Sequence, residues 1–204
     1  MKIRRSFRPE STLPPKNLFK EYVHEDSLIF LLRHGQIQGH EEKRFIGAID
    51  VPLDDTGLSQ AGYWQTAFSG FPLDTVYSSR LQRCEKTARC IAGNLPVIHT
   101  PALNEIHMGE WDGRTFAEIK AGRPEEFIKR GKDLCSYRPL GGESFQDLAD
   151  RVLPFFNPLA QKREKTLVVT HAGVIRVILC HVLKLPLKDL FQFNPAYGEL
   201  FILG

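Results

Sequence analysis

The stretch LIFLLRHG at residues 28–35 is an apolar run that ends abruptly in a cation, an imidazole and a glycine. Consecutive apolar residues over about Ser27–Leu32 predict a short strand that is buried on both faces. Strands of this kind belong to parallel sheets, where ligands bind at the carboxyl ends of the strands. Arg33 and His34 fall at that edge, and Gly35 lets the backbone turn tightly there. The stretch therefore predicts an α/β fold with a functional imidazole at His34.

A second strand of the same kind lies far downstream, in TLVVTHAG at residues 166–173. It also runs directly into a histidine, His171, with Gly173 two residues later. Two buried strands that each end in an imidazole predict that His34 and His171 converge on one pocket.

The rest of the chain alternates between predicted strands and predicted helices. Further strands are expected at about residues 74–77, 96–99 and 191–203, the last with residues 198–203 as its core. Helices are expected from near residue 57 and at about 81–92, 144–160 and 174–183, and Asp54 or Asp55 can cap the first of them. We expect Pro154 and Pro158 to interrupt or end the third. The alternation predicts a three-layer α/β/α sandwich with a mostly parallel central sheet.

The composition is that of one ordinary domain with a modest charge. The chain has 204 residues, of which 42% are hydrophobic and 25% charged, and its formal net charge is +3. These values suit a globular protein with a substantial core. The basic residues form no single stripe, so nucleic-acid binding is not indicated, while a small anionic ligand is compatible with the charge.

The cysteine pattern and the lack of a long apolar stretch bear on where the protein is located. Four cysteines show no CxxC pair or metal-ligand spacing, and no stretch is long and apolar enough to cross a membrane, so we expect a cytoplasmic protein without a membrane partner.

Residues 1–26 are rich in arginine and proline and lack the apolar core of a secretory signal. We expect them to be a flexible or surface-draped extension of a domain at residues 27–204. Residues 109–142 have helical pieces but no strand pattern, and we interpret them as a lid over the pocket.

Four further motifs follow LIFLLRHG in order: SSRLQRCEKTA at 78–88, LNE at 103–105, GEWDG at 109–113 and PLGGES at 139–144. With these motifs the chain resembles the histidine phosphatase superfamily, also called the phosphoglycerate mutase-like family, from about residue 28 to residue 181. The resemblance implies a phosphoglycerate mutase-like fold and phosphoryl transfer through a phosphohistidine.

Phosphoryl transfer needs several fixed cationic donors, because negative charge spreads over three oxygens in the transition state. Guanidinium groups suit this task, and Arg33 and Arg83 are the candidates. The alternative for Arg83 is a surface pair with Glu85 or another acid. The resemblance implies that His34 is the nucleophile and Glu105 the general acid/base. It also implies that Arg33, Arg83 and His171 bind the phosphoryl oxygens, with a backbone N–H of Ala172 or Gly173 assisting.

The remaining site residues are expected to contact substrate. An acceptor near Gly35 would orient His34, and His171 is expected to be protonated or to donate. His40 stands where many family members have Asn, so one phosphate donor is altered or the loop is rearranged. The histidines lack metal-ligand spacing, so we expect neither a metal nor another cofactor. The expected substrate-binding residues are Gln36, His40, Arg44, Gly47, Glu143 and Gly173.

Three functions are compatible with these motifs. GEWDG resembles the Gly-x-Trp-x-Gly pattern of the phosphatase branch, and the segment before PLGGES is short for a mutase lid. A phosphomonoesterase acting on a small phosphorylated metabolite is therefore favoured. The stretch RFIGAIDVPL at residues 44–53 resembles α-ribazole phosphatases, which suggests α-ribazole phosphate as the substrate. The alternatives are phosphoglycerate mutase-type transfer and a non-catalytic, partner-binding member of the family. We expect a monomer or a homodimer.

Overall fold

The fold is built on one six-stranded sheet with helices on both faces. The computed structural model describes residues 1–10 and 12–204. The strands are β1 (Ile3–Phe7), β2 (Leu28–Arg33), β3 (Thr75–Ser78), β4 (Val97–His99), β5 (Lys165–Thr170) and β6 (Leu200–Leu203). The α-helices are α1 (Asp55–Ala67), α2 (Gln82–Ala92), α3 (Phe116–Gly122), α4 (Pro124–Lys132), α5 (Phe145–Leu159) and α6 (Ala172–Val182). Short 3-10 helices cover Lys20–Tyr22, His40–Glu42, Pro101–Leu103, Gly109–Trp111 and Leu187–Gln192.

The strand order is β1-β6-β2-β5-β3-β4. Strands β2, β5, β3 and β4 pair in parallel, whereas β6 pairs antiparallel with both β1 and β2. The prediction of a mostly parallel central sheet is therefore confirmed. β2 and β5 lie next to each other at the centre of the sheet, with Arg33 opposite Thr170. The residues that follow these two strands consequently emerge side by side at one edge.

The alternation of side chains along β2 separates two cores. Ile29 and Leu31 pack with α5 and α6 on one face, and Leu28, Phe30 and Leu32 pack with α1 and α2 on the other. All five side chains are at most 2% exposed. A strand covered on both faces reads as an unbroken apolar run, which is why the sequence predicts it well. The expected three-layer sandwich follows directly from these two cores.

Residues 1–26, expected to be a flexible or surface-draped extension, lie against the sheet in the structure. Ile3–Phe7 forms an edge strand that pairs with β6. Phe19 is 2% exposed and packs against Trp64 and Phe68 in the core beneath α1. Apolar burial thus fixes the segment to the sheet. β1 contains three consecutive polar residues, Arg4 to Ser6, as is typical of a protected edge strand. They obscure the alternation of apolar and polar residues by which a strand is predicted from sequence.

Helix α5 ends at Leu159, close to the expected end at about residue 160, but the expected interruption is wrong, because the helix continues through Pro154 and past Pro158. Each proline removes one backbone hydrogen bond. Helix α5 nevertheless buries one continuous face, including Leu148, Val152 and Phe156, against the core. Tertiary burial therefore outweighs the local cost of the prolines. Within the described residues, no helix combines the length and the apolar character needed to cross a bilayer.

Candidate active site

Two imidazoles meet at the carboxyl edge of the central strands. His34 directly follows β2 and His171 directly follows β5. Their ring centroids are 5.1 Å apart, and the rings are inclined by 64°. His34 is 3% exposed and His171 is fully buried. The structure therefore brings together the two histidines that the sequence analysis places in one pocket.

His34 is oriented by its own backbone. Its Nδ1 lies 2.7 Å from the carbonyl oxygen of Gly35, the acceptor expected at this position. Because a carbonyl only accepts hydrogen bonds, Nδ1 carries the proton and Nε2 keeps a free lone pair. Burial lowers the pKa of His34 well below its usual value, and the charges of Arg83 and Arg33 lower it further. His34 is consequently a neutral imidazole with Nε2 available as a nucleophile.

His171 is also neutral, and Arg83, Ser79 and the Cys84 sulfur contact its ring nitrogens. Arg83 donates from Nε to His171 Nδ1 over 3.3 Å, so the ring proton resides on Nε2 and is donated to the Ser79 hydroxyl at 2.8 Å. Burial lowers the pKa of His171 well below its usual value, and Arg83 is the largest of the neighbouring charges that add to this shift. His171 was expected to be protonated or to donate so as to stabilise the phosphoryl oxygens; in the structure it donates to the Ser79 hydroxyl, and its contact with those oxygens stays a prediction.

Arg83 lies in the first turn of α2 and is 1% exposed. Its two terminal nitrogens donate to the carbonyl oxygens of Ile49 and Gly47, each over 2.8 Å. The surface pairing with Glu85, the alternative role for this arginine, is not what the structure shows, because Glu85 accepts from Arg89 instead. Arg83 therefore places a buried cation beside both histidines.

Arg33 is the second cation at this edge. It donates from Nη1 to the Pro195 carbonyl over 2.8 Å, and its guanidinium carbon lies 3.8 Å from the ring centroid of Tyr197. Its Nε is buried and has no acceptor among residues 1–10 and 12–204. A buried donor without an acceptor is costly, and an anionic oxygen would satisfy it. This unmet hydrogen bond is what a phosphate-binding arginine requires.

Glu105 lies against the start of α6. Its carboxylate accepts from the N–H of Ile106 at 3.0 Å and from the N–H of Gly173 at 3.1 Å. Of the two backbone donors expected to assist phosphate binding, Ala172 or Gly173, the Gly173 N–H is occupied by Glu105, and a role for the Ala172 N–H stays a prediction. A Cβ on Gly173 would lie 2.3 Å from Glu105 Oε1, so only glycine leaves room for the carboxylate here.

The side chains expected to contact substrate have partners within the protein. Gln36 donates to Asp54, the N-cap of α1. Arg44 donates to Glu42 and to the Gly113 carbonyl.

Two more of these predicted residues, Gly47 and Glu143, hold other site residues in place. The Gly47 carbonyl accepts from Arg83. Glu143 pairs with Arg151, which also donates to the Glu105 carbonyl. Burial raises the pKa of Glu143, but hydrogen bonds from Arg151 and from the His107 N–H outweigh it, and the pKa is lowered. Glu143 is thus an ionised group that fixes the loop of Glu105.

His40 lies at the outer side of this cluster. Its ring centroid is 6.3 Å from that of Tyr197, and its Nδ1 is 3.6 Å from the carboxylate of the exposed residue Glu41. The structure therefore leaves its expected contact with substrate as a prediction.

Three residues near the histidines were not predicted. Tyr197 covers Arg33, and its ring centroid is 5.6 Å from that of His34. Ser79 accepts from His171 and donates to Asn104 Oδ1 at 3.0 Å. The serine and the asparagine stand inside SSRLQRCEKTA and LNE, so those motifs could have indicated them. Tyr197 lies outside all the motifs, and no pattern in the sequence marks it.

The comparisons agree with the motifs. A model of the histidine phosphatase superfamily (branch 1) matches residues 29–204. Adenosylcobalamin/α-ribazole phosphatase of Escherichia coli (strain K12) is 30% identical over 174 residues, which cover 83% of this chain and 86% of that protein. A 2,3-bisphosphoglycerate-dependent phosphoglycerate mutase 2 of Gloeobacter violaceus is 35% identical over 162 residues, covering 75% of this chain and 74% of that protein. The crystal structure of α-ribazole phosphatase from Shigella flexneri superposes with a TM-score of 0.79 at 28% identity, covering 84% of this chain and 87% of that one.

Proposed function

Because the chain belongs to the histidine phosphatase superfamily and is a phosphatase, we propose that it hydrolyses a small phosphomonoester through a phosphohistidine at His34. We further propose that the reaction needs no metal and that the substrate is α-ribazole phosphate or a related metabolite. The observation that carries the proposal is the state of His34: neutral, with Nδ1 held by the Gly35 carbonyl and Nε2 free, between two arginines.

The first step transfers the phosphoryl group to the protein. His34 Nε2 forms a bond to phosphorus as the bond from phosphorus to the ester oxygen breaks. Negative charge develops on the phosphoryl oxygens, and the guanidinium groups of Arg33 and Arg83 stabilise it. Arg33 contributes its unpaired Nε to those oxygens. A buried site strengthens these charge interactions because little water screens them.

Glu105 handles the protons in both steps. In the first step its carboxyl proton goes to the departing alkoxide, and in the second its carboxylate takes a proton from the attacking water. The water oxygen bonds to phosphorus, the bond to Nε2 breaks, and inorganic phosphate leaves. The Gly173 and Ile106 N–H groups fix the carboxyl in one orientation through the cycle.

The substrate assignment is supported by the sequence of the loop at residues 44–53 and by the α-ribazole phosphatases among the relatives. That loop carries the Gly47 and Ile49 carbonyls that hold Arg83, so it borders the phosphate-binding groups. Residues next to the phosphate-binding groups are well placed to contact the remainder of a phosphomonoester.

The test combines turnover with trapping of the intermediate. Phosphate release is measured in chelator with α-ribazole phosphate, p-nitrophenyl phosphate, 3-phosphoglycerate and sugar phosphates. We expect the highest kcat/KM with α-ribazole phosphate. Intact-protein mass spectrometry after a rapid quench is expected to detect a phosphorylated protein that is absent from His34→Asn. The His24→Asn variant is the matched control, since His24 is an exposed histidine that belongs to none of the site motifs.

Two results would contradict the proposal. Turnover by His34→Asn at the unsubstituted rate would exclude the phosphohistidine at this residue. A folded protein that releases no phosphate from any ester would favour the non-catalytic, partner-binding alternative.

Phosphoglycerate mutase activity is the second candidate, and the Gloeobacter relative at 35% identity favours it. A mutase returns the phosphoryl group to a second hydroxyl and must keep water out. Incubation with 3-phosphoglycerate and a trace of 2,3-bisphosphoglycerate distinguishes the two activities. Formation of 2-phosphoglycerate faster than inorganic phosphate would identify a mutase, whereas release of phosphate alone supports the phosphatase.

A further inference from the structure

A short loop before β6, residues 195–199, forms one side of the catalytic cluster; we call it the Tyr197 loop. Its Pro195 carbonyl accepts from Arg33, and the Tyr197 ring stacks on the same guanidinium. The N–H of Gly198 donates to the His34 carbonyl over 3.0 Å. The loop therefore contacts both the nucleophile and the arginine beside it.

The loop is organised internally by Glu199, which is 6% exposed. Its Oε2 accepts from the Ala196 N–H at 2.7 Å, and its own N–H donates back to the Ala196 carbonyl at 3.1 Å. The Glu199 carbonyl also accepts from the Arg33 N–H at 3.0 Å. A cationic partner stabilises a buried carboxylate, because removal from water penalises an unpaired charge.

That partner comes from the opposite end of the chain. Arg8, the residue after β1, places Nε 3.3 Å from Glu199 Oε1. Pro9 packs against the same loop, since a Cβ on Gly198 would lie 2.9 Å from Pro9 Cγ. Pairing of β1 with β6 holds both residues in place, because β6 begins at the end of the loop.

We propose that Arg8 and Pro9 are positioning residues for the phosphoryl-transfer site, acting through Glu199 and the Tyr197 loop. Neither residue touches the histidines. Arg8 holds the Glu199 carboxylate, Glu199 holds the turn that presents Tyr197 and the Pro195 carbonyl, and these two groups hold Arg33. The N-terminal segment is thus part of the active-site architecture. Its effect on turnover rests on the proposed function, but its effect on the loop does not.

The experiment compares three variants of the full chain: Arg8→Gln, Arg8→Lys and Arg5→Gln. Arg5 is the matched control because it lies on β1, three residues before Arg8, but pairs with the exposed residue Glu21, away from the loop. Hydrogen exchange of the peptide covering residues 194–199 reports on the loop whether or not the protein turns over substrate. We expect faster exchange in Arg8→Gln only, and near-normal exchange in Arg8→Lys, which keeps the charge.

Anion binding provides the second measurement. Inorganic phosphate is titrated calorimetrically into each variant and tested as a competitive inhibitor. The dissociation constant is expected to rise about two- to fivefold in Arg8→Gln, the range for loss of one partly exposed ion pair. KM should rise by a similar factor while kcat changes less, because Arg33 binds the phosphate in the ground state as well as in the transition state.

A double-mutant cycle separates positioning from general destabilisation. If Arg8 acts through the loop, Arg8→Gln should cost less phosphate affinity in the Tyr197→Ala background than in the unsubstituted protein. Additive losses, or unchanged exchange of residues 194–199 in Arg8→Gln, would overturn the inference. Absence of phosphatase activity in the unsubstituted protein, together with the expected exchange pattern, would reject the proposed function and leave the positioning role intact.

Discussion

At the scale of single residues, glycines decide how closely the catalytic groups approach one another. A Cβ on Gly35 would lie 2.4 Å from the Gly57 carbonyl oxygen, so the turn after His34 packs directly on the start of α1. At Gly173 the added atom would meet the flexible end of Glu105 rather than backbone. Substitution of Gly35 therefore strains the fold, whereas substitution of Gly173 displaces a single carboxylate.

Gly173→Ala is expected to reduce general acid catalysis while leaving the protein folded. The displaced Glu105 can no longer deliver its proton to the leaving oxygen, and such proton transfer contributes about 10²- to 10⁴-fold to rate. We expect kcat/KM, which reports the first step, to fall at least about tenfold for an alkyl phosphate and less for p-nitrophenyl phosphate, whose leaving group needs little protonation. Gly62→Ala in α1 is the control, because a Cβ there has no neighbour within 4 Å. Equal losses on both substrates would contradict the assigned role of Glu105.

The pH dependence of kcat/KM follows from the state of His34. Burial and two arginines lower its pKa well below 6.5, so the nucleophile stays unprotonated as the pH falls through 6.5. We therefore expect kcat/KM, corrected for ionisation of the substrate, to show no loss assignable to His34 between pH 7.5 and 6. A fall with a midpoint at 6.5 or above, absent from the profile for inorganic phosphate binding, would show that the imidazole is solvated.

At the scale of elements, the segment expected to be a lid fixes Arg83, one of the two arginines of the proposed site. Asp112 follows the 3-10 helix Gly109–Trp111 and accepts from the N–H groups of Gly47 and Ile49 at 2.8 and 3.0 Å. The carbonyls of the same two residues accept from Arg83. One carboxylate thus shapes the loop whose carbonyl oxygens orient the guanidinium beside His34 and His171.

Asp112→Ala is expected to weaken phosphate binding, because the loop at residues 47–49 loses two hydrogen bonds and Arg83 loses its fixed acceptors. Each hydrogen bond to a charged group contributes about 1.5–3 kcal/mol, so loss of even part of one predicts a rise of about tenfold in KM. Glu110→Ala is the matched control, since Glu110 pairs with Arg123 at the surface. If the two variants have the same KM, Asp112 has no part in orienting Arg83.

The elements also show how far the sequence alone can lead. β2 and β5 are predicted because a strand that is buried on both faces has an unbroken apolar sequence. Asp54, the N-cap of α1, is one of the two residues that the sequence offers for that cap. β1 is missed because three of its five residues are exposed. The site residues divide in the same way, into those that the sequence predicts and those that only the fold reveals. The histidines and arginines stand in motifs, whereas Tyr197 reaches the site through the pairing of β6 with β2, and Arg8 reaches the Tyr197 loop through the pairing of β1 with β6.

At the scale of the whole molecule, the site places ionisable groups inside the two cores. His34 and His171 occupy the edge of a sheet that is covered on both faces, and burial is the largest cause of the lowered pKa of each. A group that is harder to protonate in the folded than in the unfolded state couples stability to pH. The geometry that keeps the nucleophile neutral therefore also makes the fold sensitive to acid.

The two buried histidines make the folded protein less stable at acidic than at neutral pH. Below about pH 6.5 the unfolded chain binds protons on both imidazoles, while the folded protein excludes them until its lower pKa values are reached. The neutral imidazoles make their full contribution to the free energy of unfolding at pH values above the pKa of histidine in the unfolded chain. As the pH falls below that pKa, the contribution is lost by up to about 1.4 kcal/mol per pH unit for each histidine.

The prediction is tested by urea unfolding at pH 5 and pH 7.5, in which the midpoint should fall on acidification. Replacing His34 with Asn removes one of the two imidazoles, so His34→Asn should lose part of the pH dependence, whereas His24→Asn, at an exposed position, should retain all of it. Carboxylates contribute equally to all three proteins, so the difference between the proteins isolates the imidazole. Identical pH dependence in the unsubstituted protein and His34→Asn would mean that His34 is protonated as easily in the fold as in the unfolded chain, and the neutral nucleophile would then have to be abandoned.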